Sequence, residues 1–235
     1  MEDDIYQRTK IVIGQRNIEK IHKSHVVICG IGGVGSYVLE SLSRIGVGRI
    51  TVVDKDSVDI TNINRQIIAT NKTVGLDKVE AAKNRVFEIN PKIEVSTIKD
   101  TITVNNIHNI IAQEGTSYVV DCIDDIEAKI AIISRCYNQS IPCISCMGMG
   151  NKLNPLDIKV DDIYKTIMCP LAKIMRKRLK EIGIKRQKVI YSVESPKCKT
   201  EEEKINFGNT IGSVAFVPSV AGLIMSSEVI KDIIK

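Results

Sequence analysis

The chain contains no Trp, three Phe and three His among its 235 residues. Its core must therefore come from Ile, Val, Leu and Ala, an aliphatic bias that suits a parallel sheet buried on both faces. A second Cys-x-x-Cys pair is missing: Cys143-Ile-Ser-Cys146 stands alone, and a four-thiolate zinc site needs two such pairs. The start (Glu2, Asp3, Asp4) has neither the basic flank nor the apolar core of a signal peptide. The uncharged run from Ile211 to Ser227 is interrupted by Gly212, Pro218 and Gly222. It falls short of the roughly 20 apolar residues of a membrane span and predicts a buried strand and helix. The seven cysteines, an odd number lying partly in apolar runs, predict buried thiols in a reducing cytoplasm. Cys29 and Cys122 read as packing residues, and His22, His25 and His108 as surface or packing residues.

Charge is present but unevenly placed. Between Leu171 and Ile190 eight basic residues face a single acid, Glu181, so this stretch carries +7 of a net +5 chain and the remainder sums to −2. Such a segment predicts local contact with a polyanion. Leu171, Ile174, Met175 and Leu179 form an apolar stripe opposite the charges, so the same helix can pack on one face and stay solvated on the other.

Strand and helix patterns alternate along the first 150 residues. Strands are predicted at His25–Cys29, Arg49–Val53, Ile93–Ile98, Tyr118–Cys122 and Pro142–Cys146, and helices at Lys78–Ile89, Val104–Ala112 and Ile126–Asn138, with a further helix after the first strand. This order predicts an α/β fold: a Rossmann-like, doubly wound, largely parallel sheet with a C-terminal extension. The length fits one domain, with residues 1–150 as nucleotide-binding core. Residues 151–235 supply the basic helix, a strand at Lys188–Val193, a loop over Glu194–Asn209 and the apolar C-terminal strand and helix.

The chemistry begins at Gly30-Ile-Gly32-Gly33-Val-Gly35, a GxGxxG turn between a strand and a helix, where backbone can approach a phosphate or ribose. Asp54, 19 residues after Gly35 at the end of the next strand, is placed to hold a ribose hydroxyl. These features alone would favour a nicotinamide oxidoreductase. Asp56, Asn62, Asn64, Arg65, Gln66 and Lys78 follow closely, and two cations with several amides suit a triphosphate better. Asp121-Cys-Ile-Asp124-Asp125 then ends a strand at the edge where open α/β sheets bind ligands, and a carboxylate there can hold Mg²⁺ against phosphates.

Taken in order, GxGGxG, DxD, TNxxRQ, VGxxK and DxxD resemble the adenylation domain shared by ubiquitin-activating enzymes and the bacterial molybdopterin- and thiamine-pathway adenylyltransferases. The resemblance implies that Gly33 and Asp54 bind the adenosine side of ATP, with Gly30, Gly32, Gly35, Asp56, Asn64 and Gln66 in the same site. It implies that Asn62, Arg65 and Lys78 handle the phosphates and that Asp124 positions Mg²⁺ and the reacting carboxylate. Arg8 matches an arginine that such homodimers insert into the neighbouring subunit's site; a solvated arm residue is the alternative.

Ile141–Pro155, Asp162-Ile-Tyr-Lys-Thr, Cys169-Pro-Leu-Ala-Lys and the C-terminal Phe216-Val-Pro-Ser-Val-Ala-Gly are similar to one branch, the tRNA threonylcarbamoyladenosine dehydratases. Met149 departs from it, standing where that branch has a small residue between two glycines. The branch implies ATP-dependent cyclisation of threonylcarbamoyladenosine beside the tRNA anticodon through an acyl-adenylate. It also implies room for a monovalent cation and for a sulfur-transfer partner protein. Lys152, Lys165, Lys173, Arg176, Lys177 and Arg178 become candidate tRNA contacts. Three rivals stay open: an adenylyltransferase acting on the C-terminus of a ubiquitin-like sulfur carrier, a non-catalytic nucleotide- or tRNA-binding module and, weakest, a nicotinamide enzyme.

Overall fold

Short runs rich in Val and Ile become strands because β-branched side chains fit a pleated, packed surface. In the computed structural model, which describes residues 5–112 and 115–235, these are β1 (His25–Cys29), β2 (Arg49–Val53), β3 (Glu94–Ile98), β4 (Tyr118–Asp121), β5 (Cys143–Cys146), β6 (Ile158–Asp162) and β7 (Lys188–Ser192). The acidic start Glu2, Asp3 and Asp4 lies outside the described residues. The helices are α1 (Gln7–Ile13), α2 (Gln15–His22), α3 (Gly35–Ile45), α4 (Lys78–Ile89), α5 (Ile107–Ile110), α6 (Ile126–Asn138), α7 (Pro170–Glu181), α8 (Glu201–Phe207) and α9 (Phe216–Ile234).

Among the described residues one sheet forms, in the order β3-β2-β1-β4-β5-β7-β6. Every pairing is parallel except β6 with β7. Helices α3, α4 and α9 cover one face and α5, α6 and α7 the other, so β1, β4 and β7 are almost wholly buried. The chain runs outward from β1 to β2 on one side and from β4 to β5 on the other. Their carboxyl ends therefore flank a topological switch point, the place where such sheets bind ligands.

Four stretches differ from the sequence expectation. Val104–Ala112 yields only the single turn α5, because Asn106 bonds Thr103 N–H and the Thr101 carbonyl (both 2.8 Å) and ties the preceding residues into a turn. Residues 158–162, not predicted as a strand, form the antiparallel edge strand β6. The predicted loop over Glu194–Asn209 contains α8, nucleated by a capping box in which Thr200 and Glu203 satisfy each other's backbone N–H groups. The uncharged C-terminal run forms no strand. It supplies most of α9, whose Pro218 sits in the first turn where a missing N–H costs nothing, and whose Val217, Ala221, Met225 and Val229 are buried.

The end of α9 is fastened to the sheet through charge. Asp232 accepts the buried Tyr118 hydroxyl (2.9 Å), Lys188 of β7 (2.6 Å) and Lys235 (2.7 Å). Burial alone would raise its pKa, but the hydrogen bonds from Lys188, Lys235 and Tyr118 bring it down to about 2. A carboxyl depressed on folding stabilises the native state above its unfolded pKa, and this contribution is lost as pH falls from 3.8 toward about 2. We expect Asp232→Asn to lower stability at neutral pH by about 1 kcal/mol after solvent screening and to flatten that acid limb. Urea unfolding at pH 7 and pH 2.5 checks this; an unchanged acid slope would contradict it.

Candidate active site

The site starts at the glycine turn after β1. Gly30 has φ +88° and its N–H bonds the Val53 carbonyl at 2.8 Å. A methyl group there would meet Ile123 Cγ2 at 2.8 Å and the Cys122 carbonyl at 3.1 Å, while one on Gly35 would collide with the Gly30 carbonyl oxygen. The turn is thus pressed against the turn that leaves β4. Asp54 braces it: Oδ2 accepts Ile31 N–H (2.7 Å) and Oδ1 accepts Asp56 N–H (2.9 Å).

Around this turn lies a cavity of about 1430 Å³ lined by Gly30, Gly32, Gly33, Asp54, Asp56, Asn62, Arg65, Gln66, Lys78 and Asp124, among others. Lys78 opens α4 and is buried, its ammonium 2.9 Å from Asp56 and 3.8 Å from Asp54. Arg65 is aimed by hydrogen bonds to the Thr61 carbonyl (3.0 Å) and Asn64 Oδ1 (2.8 Å). Asn62 caps its own turn reciprocally with Asp59, leaving its amide nitrogen for a ligand. Gln66 is buried and its Oε1 has no partner among the described residues.

On the β4 side, Asp125 caps α6 by accepting Ala128 N–H at 2.8 Å. Its neighbour Asp124 is exposed to the cavity and engages no partner among the described residues. Behind them Asp121 and Lys129 form an ion pair of 2.8 Å with neither side chain exposed. Burial works against the Lys129 ammonium, but the Asp121 charge and hydrogen bond outweigh it and hold its pKa above that of free lysine. The far wall is Cys146–Gly150, Leu171, Ile211 and Ser213. Ile211 occupies the space where a Gly150 side chain would stand, and Asn151 N–H and Oδ1 bond the Gly212 carbonyl (2.8 Å) and N–H (2.7 Å). The thiols nearby are unsuited to nucleophilic work: burial pushes Cys122 well up, and Cys146 up to about 12.

A carboxyl-edge cavity with a phosphate-cradling turn, two aimed cations and a free carboxylate is a site for activating one substrate with a nucleoside triphosphate. The ThiF family model matches residues 6–235. The chain belongs to the ThiF family. Among its relatives, the tRNA threonylcarbamoyladenosine dehydratase of Bacillus subtilis is 42% identical over 98% of this chain and 94% of its own length. Crystal structures of the E. coli tRNA N6-threonylcarbamoyladenosine dehydratase are also similar. The AMP complex is 32% identical with a TM-score of 0.89, and the ATP complex 31% identical with a TM-score of 0.88. Each covers 99% of this chain and 96% of the solved one.

Several sequence-predicted residues are placed elsewhere. Gly35 packs helix against strand and Asn64 donates to the Ser213 carbonyl (3.1 Å); neither lines the cavity. Lys152 is 4% exposed, with its ammonium on the Ser192 carbonyl (3.0 Å) and its pKa lowered by burial, so it cannot meet a surface polyanion. Arg176 is folded back onto Thr166, and Arg178 pairs with Glu127 at 2.8 Å. Lys173, Lys177 and Lys165 remain exposed, the last 3.7 Å from Asp161. Sequence reading missed Lys129, although a lone charge beside Ala128, Ala131 and Ile132 on the packed face of α6 was a signal for it.

Asp124→Asn keeps shape and removes charge, so turnover should fall roughly 10²-fold while the melting temperature holds. Steady-state AMP release and thermal unfolding of the pure variant test this; near-normal turnover would shift the role to Asp56 or Asp125.

Proposed function

We propose that this chain is an ATP-dependent tRNA threonylcarbamoyladenosine dehydratase that adenylates the side-chain carboxylate of the modified base. The observation that carries the reading is the full-length similarity to dehydratases, joined to a cavity in which Arg65, Lys78 and Asp124 converge on the glycine turn. Gly32 offers an open backbone surface for the nucleotide, Gly33 beside it packs against Pro218 and Arg65, and Asp54 takes the ribose. Arg65 and Lys78 neutralise the phosphates, Lys78 trading Asp56 for phosphate oxygen.

A substrate carboxylate oxygen attacks the α-phosphorus and pyrophosphate departs. The carbamoyl nitrogen of the same base then attacks the activated carbonyl, loses its proton and expels AMP, so the ring closes with net loss of water. Because this nucleophile is already attached, proximity replaces an enzyme thiol. The high pKa values of Cys122 and Cys146 fit that assignment. Mg²⁺ fits the donors present: Asp124 and Asp56 are hard oxygen ligands, and no cluster of three metal-binding side chains exists among the described residues, so phosphates and water complete its shell. The ion offsets negative charge on the phosphates when bound. The decisive assay incubates the enzyme with ATP, Mg²⁺ and threonylcarbamoyl-modified tRNA. Nucleoside mass analysis should find loss of one water, and unchanged nucleoside with intact protein would overturn the reading.

The exposed lysines of α7, Lys173, Lys177 and Lys180, track tRNA phosphates; none has an ion-pair partner among the described residues. Changing all three to Gln should weaken tRNA binding and flatten its salt dependence by a slope of about 3, leaving ATP affinity intact. Filter binding at several salt concentrations decides, and an unchanged slope would leave them a solvated face. No helix among the described residues is long and apolar enough to cross a membrane.

A homodimer completes the proposal. Helix α1 buries none of its residues; Ile11 and Val12 are 81% and 83% exposed beside exposed Arg8. A second copy covers that apolar face and receives Arg8 in its cavity. Mixed dimers of Arg8→Ala with Asp124→Asn should keep one working site, read as AMP release by affinity-purified heterodimers. Complete inactivity of intact mixtures would contradict the arrangement.

A further inference from the structure

The proposed chemistry gives no task to the most deeply buried charges near the site, Asp121 and Lys129. Asp121 is the last residue of β4, in register with Cys29 of β1 and Ser145 of β5, under the face that α6 covers. Lys129 lies in the first turns of α6, its N–H on the Asp125 carbonyl (3.0 Å) and its ammonium on Asp121 Oδ2 (2.8 Å). Asp121 Oδ1 also accepts Ile123 N–H at 3.3 Å, and Cys122 N–H bonds the Cys29 carbonyl at 2.8 Å. The pair therefore joins the two ends of the turn 122–125, and that turn carries Asp124 into the cavity and touches Gly30.

Packing alone does not account for such a pair. Two charges removed from water are commonly replaced by well-fitting apolar residues with no loss, or a gain, of stability. A pair at the ligand edge does one thing that an apolar pair cannot. Its directional bond fixes the strand-to-helix angle, and with it the reach of Asp124, while the ammonium keeps the pair neutral behind Asp124 and Asp125.

We infer that Asp121 and Lys129 are positioning residues for the adenylation step, acting through Asp124 by fixing the 122–125 turn. This rests on the function proposed above. The test compares wild type, the double variant Asp121→Asn with Lys129→Met, Asp124→Asn, and the variant combining all three. Unfolding, ATP binding by calorimetry, and kcat and KM for modified tRNA are measured for each.

The double variant should unfold cooperatively, melting a few degrees below wild type because the buried amide introduced at position 121 loses its partner, and bind ATP within about threefold of wild type. Its kcat should be roughly 10- to 10²-fold lower with KM little changed, as expected when a reacting group is misplaced. Added to Asp124→Asn, the double change should cost nothing further, because both act through one carboxylate. Should that variant fail to fold, Asp121→Leu with Lys129→Met, which removes the polar bond between β4 and α6 and leaves no side-chain amide unpaired, carries the same comparison. A folded double variant with wild-type kcat, or a loss that simply multiplies with that of Asp124→Asn, would overturn the inference. If wild type itself releases no AMP with modified tRNA, the proposed function falls; an active wild type with an equally active double variant removes only the role given to this pair.

Discussion

Everything at this site depends on one backbone contact, the closure of the turn after β1 onto the turn after β4. Gly30 and Gly35 have no side chains because the Cys122 carbonyl, Ile123 and the Gly30 carbonyl itself occupy that space. The contact sets the helix N-terminus of α3 beside the carboxylate-bearing turn of α6, and the switch in strand order supplies the crevice between them. A side chain at either glycine would separate the anion-binding backbone from Asp124.

Electrostatics follows from that geometry. Asp54 accepts the Ile31 and Asp56 N–H groups, one on each oxygen, and Asp56 holds the Lys78 ammonium. Asp125 is consumed as a helix cap and Asp121 by Lys129. Among the described residues Asp124 is left unengaged, which is the state expected of a group reserved for a ligand. Preorganised charges of this kind need little rearrangement as charge moves to the departing pyrophosphate.

The fold was legible because alternation of aliphatic strands with amphipathic helices is a repeated, redundant pattern. Strand β6 was harder: Ile158-Lys-Val-Asp-Asp is short and half polar, and only its partner β7 makes it a strand. That the glycine turn, Arg65, Lys78 and Asp124 share one cavity was legible because each follows a predicted strand or opens a helix at the sheet's carboxyl edge. Lys152 and Arg176 were misplaced because composition reports charge and not direction; tertiary packing turned one onto Ser192 and the other onto Thr166. The Ile211–Ser213 wall was invisible for a similar reason, since it meets Gly150 and Asn64 from far along the chain.

The central claim is that a carboxylate oxygen of the substrate attacks the α-phosphorus of ATP. It is tested most directly by a single turnover with threonylcarbamoyl-modified tRNA labelled with ¹⁸O in that carboxylate, followed by mass analysis of the nucleotide products. The account predicts one labelled oxygen in AMP, carried over when the carbamoyl nitrogen displaces the adenylate. Label in orthophosphate, with ADP as the other product, would contradict it.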